Sequence, residues 1–224
     1  MSNIGIVFKS FLSAFLCLLA LTYGSRAAFA YDQGAIEYLS HSIPNFHQVT
    51  ESIYRGANPF TRTRNGAGGT QLMNLGVAMV IDLQGGDIDG TLEGFYSALT
   101  EPGERIQNIR AEKEYFESRG VLFVNLPLNS HAPVTLREEL DIQEALKLLA
   151  QATPRYPAFI HCEHGTDRTG LVIALYRIFY QNWSPKKAYK EWTISGHNGV
   201  HRLFTRELDD YFYLVTAYRM TAAY

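Results

Sequence analysis

Residues 158–170 read Ala-Phe-Ile-His-Cys-Glu-His-Gly-Thr-Asp-Arg-Thr-Gly, and this stretch decides the fold. The apolar residues that follow Pro157 predict a short buried strand ending at His161. The polar loop after the strand contains a glycine and leads into a largely apolar segment, which predicts a helix from about Thr169 to Tyr180. A strand joined through a short loop to a helix is the repeating unit of α/β proteins with parallel sheets.

The same alternation of strands and helices extends on both sides of this unit. Apolar runs predict strands at residues 77–83 and 121–128, and Pro127 indicates that the second strand ends there or lies at a sheet edge. Helices are predicted at residues 104–119, 136–151, 185–192 and 208–217, while residues 31–50 are expected to form a peripheral arm and residues 62–69 a loop. The expected fold class is therefore α/β, a mostly parallel central sheet flanked by helices, in a single domain over residues 31–224.

Two of the predicted helices begin with capping signals. Thr135 and Glu138 fit a capping box, and Ser184-Pro185 fits an N-cap followed by the first helical residue. The residues expected to face inward from the helix after Thr135 are Leu136, Leu140, Ala145, Leu148 and Leu149.

Composition excludes several functional classes. The chain has 224 residues, 46% of them hydrophobic and 19% charged, which is typical of a globular protein. A net charge of −2 argues against a nucleic-acid-binding protein. Two cysteines are too few for a disulfide scaffold or a four-cysteine zinc site.

Residues 1–30 predict a signal peptide. An apolar run at residues 11–21 is too short to span a bilayer but suits a signal-peptide core, and Ala28-Phe29-Ala30 fits a cleavage site before Tyr31. An uncleaved anchor is the alternative, and a lipoprotein site at Cys17 is disfavoured by the bulky residue before it. The protein is therefore expected to be exported, either periplasmic or secreted, without a stable membrane span after cleavage. Cleavage would leave Cys162 as the single thiol.

The loop after the strand has the parts of an anion site. Unpaired N–H groups at a helix N-terminus attract anions, Gly165 permits an unusual backbone conformation, and the guanidinium of Arg168 matches two phosphate oxygens. The same groups lower the pKa of a thiol, so Cys162 is expected to be a nucleophilic thiolate facing a bound phosphate. The residues expected to surround the phosphate are Glu163, His164, Gly165, Thr166, Asp167 and Arg168.

Three further residues are candidates for supporting roles. Asp167 is the candidate acid that protonates the leaving oxygen, and Thr169 is expected to hydrogen-bond the departing sulfur. His161 is expected to be structural, through a hydrogen bond to the loop. Arg55 is expected either to reach the site or to form an internal ion pair.

The pattern C-x5-R-[ST]-G between a strand and a helix resembles the phosphate loop of Cys-based protein tyrosine and dual-specificity phosphatases. The fuller pattern H-C-x-x-G-x-D-R-T-G is similar to bacterial, often exported, tyrosine-phosphatase-like proteins. Residues 53–59 (Ile-Tyr-Arg-Gly-Ala-Asn-Pro) and 175–188 also resemble segments of that family, so the resemblance covers about residues 50–200. It implies a protein-tyrosine/dual-specificity-phosphatase-like fold and a phospho-cysteine intermediate.

The sequence departs from the family at the usual position of the general acid. The resemblance places that aspartate on a mobile loop before the cysteine, but residues 126–133 contain no carboxylate. Some relatives instead have an aspartate directly before the loop arginine, which corresponds to Asp167. Asp167 is therefore the preferred acid and His131 the second choice.

The resulting hypothesis is a metal-independent phosphate monoester hydrolase that needs no cofactor. A phosphotyrosine protein is the first substrate class and a phosphoinositide the second. A phosphate-binding pseudophosphatase is the non-enzymatic alternative, and a rhodanese-like sulfur transferase is disfavoured by Arg168-Thr169.

Residues outside the loop give weaker signals. No metal site is expected at His197 and His201, because glycines interrupt the helix there and no third ligand is apparent. Asp82 is expected to be structural, whereas Asp87 and Asp89 are candidates for lining a cleft.

Overall fold

The computed structural model describes residues 33–61, 67–85 and 103–221. The predicted signal peptide, Asp87 and Asp89 lie outside these residues. The strands are β1 (His47–Thr50), β2 (Ile53–Ala57), β3 (Met79–Asp82), β4 (Leu122–Asn125) and β5 (Ala158–Cys162). The helices are α1 (Gln33–Ser42), α2 (Gly68–Asn74), α3 (Gly103–Glu117), α4 (Leu136–Gln151), α5 (Asp167–Gln181), α6 (Pro185–Ile194), α7 (Gly199–Phe204) and α8 (Arg206–Thr221).

The five strands form one sheet in the order β1-β2-β5-β3-β4. β1 pairs antiparallel with β2, and the other three pairings are parallel. This arrangement confirms the α/β class and the mostly parallel sheet. β4 is an edge strand that ends before Pro127, as the proline predicted.

β5 is the middle strand, and its end positions the site. Its last residue, Cys162, pairs in register with Ala57 of β2, and His161 pairs with Asp82 of β3. Because the carboxyl ends of parallel strands meet at one edge of the sheet, the loop after β5 lies between the loops that follow β2 and β3.

Alternation along each strand divides the side chains between the two faces of the sheet. Ile53, Ile160 and Cys162 belong to the core cluster that contains residues of α4, α5, α6 and α8. On the other face, Phe159 stacks on Phe46, which follows α1, and Phe116 of α3 stacks on Phe123 of β4. Successive residues of β5 therefore point to opposite helical layers.

The two predicted helix starts are confirmed. Thr135 accepts from the backbone N–H of Glu138, whose side chain returns to the Thr135 backbone, and Ser184 accepts from Lys187. The inward face predicted for α4 is partly wrong, because Leu136 and Leu140 are 75% and 54% exposed. Asp141, Ile142 and Leu146 are buried instead, together with the predicted Ala145 and Leu149.

The predicted peripheral arm at residues 31–50 is wrong. Within it, residues 33–50 contain α1 and β1, and Leu39, Ile43 and Phe46 are buried in the core. The polar composition masked these elements, since only a few apolar residues anchor each of them. Within the described residues, no helix is long and apolar enough to cross a membrane.

Candidate active site

The loop after β5 wraps around the sulfur of Cys162. Residues 163–166 connect the strand to α5, whose first helical hydrogen bond runs from the N–H of Gly170 to the carbonyl of Thr166. The N–H groups of Arg168 and Thr169 therefore have no partner inside the helix. They lie at the positive end of the helix dipole, directly after the loop.

Three successive carbonyls of the loop are held by the surrounding scaffold. The carbonyl of Glu163 accepts from the N–H of Asn58 at 3.3 Å, and that of His164 accepts from Asn45 Nδ2 at 2.8 Å. The carbonyl of Gly165 accepts from the Arg55 guanidinium at 2.5 Å. Because the N–H in a peptide plane points opposite to the carbonyl, the amides that follow these carbonyls turn toward the inside of the loop.

Gly165 is required by the close approach of two backbones. Its φ is +71°, which is a left-handed conformation, and a Cβ at this position would collide with the backbone of Gly56 in β2. The glycine thus lets the loop pack directly on β2, where Arg55 holds its carbonyl.

The surroundings of Cys162 favour a thiolate. Burial by itself would raise the pKa of this thiol, but the positive charge of Arg168, the Thr169 hydroxyl and the N–H groups of Thr169 and Gly165 outweigh burial. Together they lower the pKa of Cys162 below its usual value. Thr169 Oγ1 is buried and has no hydrogen-bonded nitrogen or oxygen partner, so its proton is available to the sulfur.

Arg168 is anchored by carbonyls of the segments that follow β3 and β4. Its Nη1 donates to the carbonyl of Leu83 at 3.1 Å and to that of Leu128 at 3.3 Å. These bonds fix the guanidinium over the loop beside Cys162, where its remaining donors can reach an anion.

Asp167 is held at both carboxylate oxygens. Thr166 Oγ1 donates to one oxygen at 2.9 Å, and Nδ1 of His197 lies 2.8 Å from the other. Nε2 of His197 lies 3.3 Å from Asp209, which also accepts from Tyr189 and Arg202. His197 is fully buried and stacks on Trp192 at 3.9 Å, so Asp167 is the outer member of a buried Asp–His–Asp chain.

His161 does not contact the loop with its ring, so the hydrogen bond predicted from it to the loop is wrong. The ring lies on the opposite face of the sheet from Cys162, with Nε2 3.0 Å from Glu112 and Nδ1 3.7 Å from Asp82. These are ion-pair distances, although neither ring nitrogen has a hydrogen bond. Burial disfavours the charged ring, but Glu112 and Asp82 outweigh burial and raise the pKa of His161 to about 9.

Asp82, Glu112 and His161 are candidate metal ligands by proximity, since their ligand atoms lie within 4.8 Å of one another. The two carboxylates, however, flank opposite nitrogens of the imidazole. Because the lone pairs of those nitrogens diverge in the ring plane, the two carboxylates do not converge on one nitrogen. The cluster is better described as an imidazolium between two acidic side chains, in which burial raises the pKa of Asp82 to about 7 although His161 opposes this change. It gives Asp82 the structural role that was expected.

A second buried network supports the start of the loop. Asn58 Nδ2 donates to Glu112 at 2.9 Å and to Gln84 at 2.6 Å, and Gln84 Nε2 donates to Glu163 at 2.7 Å. The Glu163 side chain is therefore bound to Gln84, and only its backbone is available to a phosphate.

The remaining predicted residues are placed as follows. His164 is exposed, and the His131 ring is bound through Nδ1 to the carbonyl of Phe204 at 2.8 Å. Of the two expectations for Arg55, the structure supports the first, because Arg55 reaches the loop through Gly165.

Sequence analysis missed His197, Asp209 and Asn45 as supporting residues. No periodic sequence pattern marks them, because they come from separate segments of the chain: Asn45 binds the loop, His197 binds Asp167, and Asp209 binds His197. Asn58 and Gln84 were present in segments that were singled out, but no role was predicted for either.

Comparison with known proteins agrees with this site. The family model for the tyrosine phosphatase family matches residues 106–212. The dual specificity protein phosphatase TpbA of Pseudomonas aeruginosa is 36% identical over 66 residues, which cover 30% of this chain and 29% of that protein. The match thus spans less than a third of the curated relative's length.

Solved structures agree in fold. The crystal structure of P. aeruginosa TpbA has a TM-score of 0.52 and 22% identity, and it covers 75% of this chain and 83% of that one. TpbA in complex with pTyr has a TM-score of 0.51 and 22% identity, with 77% and 90% coverage. A putative phosphatase from Shewanella putrefaciens has a TM-score of 0.52 and 16% identity, with 81% and 94% coverage.

The family match, the TpbA match and the shared fold agree with the loop that ends at Arg168. On this evidence, the chain is similar to the Cys-based tyrosine/dual-specificity phosphatases, with the family match confined to residues 106–212.

Proposed function

We propose that this protein is a metal-independent phosphatase that hydrolyses phosphate monoesters through a phospho-cysteine intermediate. The observation that carries the proposal is that Asn58, Asn45 and Arg55 donate hydrogen bonds to three successive loop carbonyls. It turns the loop amides toward the sulfur of Cys162, on the side where the Arg168 guanidinium also lies. A dianionic phosphate and a thiolate are both anions and repel each other, but the N–H groups and the guanidinium of this site stabilise both.

In the first step, the Cys162 thiolate attacks phosphorus opposite the leaving oxygen. The S–P bond forms as the P–O bond to the leaving group breaks, and the equatorial oxygens are bound by Arg168 and the loop N–H groups. Asp167 is proposed to give its proton to the leaving oxygen. The cations and N–H groups supply the positive charge that a metal ion supplies in other phosphoryl-transfer sites.

In the second step, a water molecule attacks phosphorus and returns a proton to Asp167. The S–P bond breaks, phosphate leaves, and the sulfur departs as a thiolate stabilised by Thr169 and Arg168. The proton that Asp167 gave up in the first step is thereby restored, while His197 keeps its carboxylate in place through a hydrogen bond.

Phosphotyrosine in a protein is the proposed substrate class. The support is the tyrosine phosphatase family match and the structural similarity to TpbA, which has been crystallised with pTyr. A phosphoinositide is the alternative substrate. Export by way of the segment at residues 1–30 is part of the proposal, with a periplasmic or secreted location.

A phosphate-binding protein without turnover is the second candidate function. The observation that favours it is that both oxygens of Asp167 are already hydrogen-bonded, while residues 126–133 supply no other carboxylate. Such a protein would bind vanadate or a phosphopeptide and release no phosphate.

The test is hydrolysis of p-nitrophenyl phosphate under reducing conditions with EDTA present. Wild-type turnover that is lost in Cys162→Ser would support the proposal. Undiminished turnover in Cys162→Ser would contradict it. Saturable phosphopeptide binding without turnover on any monoester would support the binding protein instead.

A further inference from the structure

A second cavity lies beside β2 and away from the sulfur of Cys162. It has a volume of about 420 Å³, which is within the range of small-molecule sites. The lining residues come from β1, from Arg55, from Trp183 and from the outer side of α6. Residues 162–169 do not line it, so the cavity is distinct from the candidate active site.

The lining is cationic in a chain whose net charge is negative. Arg55, Lys187 and Lys190 face the cavity together with one carboxylate, that of Glu191. The Glu191 carboxylate forms an ion pair with Arg177, which donates hydrogen bonds to its two oxygens at 2.7 and 2.9 Å. Among the described residues, Lys187 and Lys190 have no acidic partner, so their charges are not neutralised by the protein.

Arg55 adds a buried charge with an unsatisfied donor. Its guanidinium is bound at one end to the carbonyl of Gly165, but its Nε has no hydrogen-bond partner. Burial lowers the pKa of Arg55 to about 10, although nearby acidic groups oppose that change. A buried guanidinium with an unsatisfied donor is unfavourable, and an anion that enters the cavity could accept a hydrogen bond from that donor.

One of the lining residues is the aromatic Trp183. Lys187 Nζ lies 3.5 Å from the centroid of the Trp183 ring, and the Arg177 guanidinium lies 4.4 Å from it. The cation–π contact therefore holds the Lys187 ammonium against another residue of the cavity lining. Two ammonium groups and a guanidinium suit an anion with several charged oxygens better than a single carboxylate.

We propose that the cavity lined by Arg55, Lys187 and Lys190 is a second anion site, which binds a small anion with more than one phosphate group. Binding of an anion in this cavity requires no reaction at Cys162, because the catalytic loop does not line it. Arg55 connects the two sites physically, since it lines the cavity and also holds the loop at Gly165.

The test is isothermal titration with inorganic pyrophosphate, with the catalytic loop blocked. Cys162 is first carboxymethylated with iodoacetate and the product verified by mass, so that the added carboxylate repels anions from the loop. We expect saturable binding that weakens by about tenfold or more in both Lys187→Gln and Lys190→Gln, because each removes a charge-assisted contact. Arg55 is left unchanged because its loss would also release Gly165.

Lys186→Gln is the matched control. Lys186 is an exposed lysine of the same helix and does not line the cavity, so its substitution is expected to change the affinity less than twofold. Equal weakening in all three variants would show non-specific attraction and overturn the proposal. Absence of saturation at millimolar pyrophosphate would overturn it as well. Neither result bears on the phosphatase assay, which uses unmodified Cys162.

Discussion

His197 offers the sharpest test of the candidate site, because it links Asp167 to the body of the protein. Replacing it by Phe keeps an aromatic ring against Trp192 but removes both contacts to carboxylates, at 2.8 Å to Asp167 and 3.3 Å to Asp209. Removing one partner from a buried charged network costs about 3–5 kcal/mol. For a domain of this size, that loss lowers the melting temperature by roughly 10 °C.

The measurement is urea unfolding at neutral pH, followed by circular dichroism. His41→Phe is the control, since His41 is exposed and its ring contacts only Ser40 and Glu37 of the same helix. This substitution is expected to change the unfolding free energy by less than about 0.5 kcal/mol. His197→Gln is expected to recover part of the loss by keeping one hydrogen bond. A cost below about 1 kcal/mol in His197→Phe would refute the buried network.

The same variant separates a role in catalysis from a role in stability alone. If Asp167 protonates the leaving group, its misplacement in His197→Gln should lower kcat on phenyl phosphate by about 10–100-fold. On p-nitrophenyl phosphate the effect should be small, because nitrophenolate leaves without a proton. Equal losses on both substrates, after correction for the folded fraction, would argue that His197 acts only through the fold.

Three other outcomes follow from the geometry of the loop. Gly165→Ala should lower the melting temperature and reduce kcat at least about 100-fold, because the new Cβ collides with Gly56 and the backbone is left-handed there. A kcat near that of wild type would contradict the close approach of the Gly165 and Gly56 backbones. Thr169→Val should raise the pH midpoint of iodoacetamide alkylation of Cys162 by about one unit, since it removes a hydrogen bond to the thiolate; an unchanged midpoint would exclude that bond. Because the pKa of His161 is raised to about 9 when folded, its stabilisation is complete below about pH 6.5 and is lost as the pH rises through 9. Between pH 7 and 10, wild type should therefore lose about 2.5 kcal/mol of unfolding free energy more than His161→Gln, and parallel curves would argue against a charged ring.

Local signals predicted most of the elements around the site correctly. The apolar run before Cys162 and the loop after it specified β5 and the start of α5. The capping box at Thr135 located α4, and the N-cap Ser184 followed by Pro185 located α6. The prediction failed where few apolar residues anchor an element, as in α1 and β1. It also misplaced the inward face of α4, because the packing of α4 on its neighbours, rather than its period alone, decides which residues are buried.

The arrangement around the loop could not be predicted from the sequence. Asn45, Arg55 and Asn58 hold the three loop carbonyls from a segment that lies more than 100 residues before the loop, and nothing local in the sequence pairs them with it. The contacts of His161 could not be predicted either. Because it precedes Cys162 directly, it was expected to form a hydrogen bond to the loop. Strand alternation instead directs its ring to the other face, onto Glu112.

By itself, the sequence determined the chemistry of this protein: a cysteine, a glycine-containing loop, an arginine and a helix start in a fixed order. These are local features, because a strand, a turn and a helix N-terminus are specified by residues that are neighbours in the chain. Only the tertiary structure decided which groups orient them. Cys162 acquires its anion-binding surroundings when separate segments bring donors to the loop carbonyls and His197 to Asp167, since those hydrogen bonds exist only after the sheet and its helices have packed.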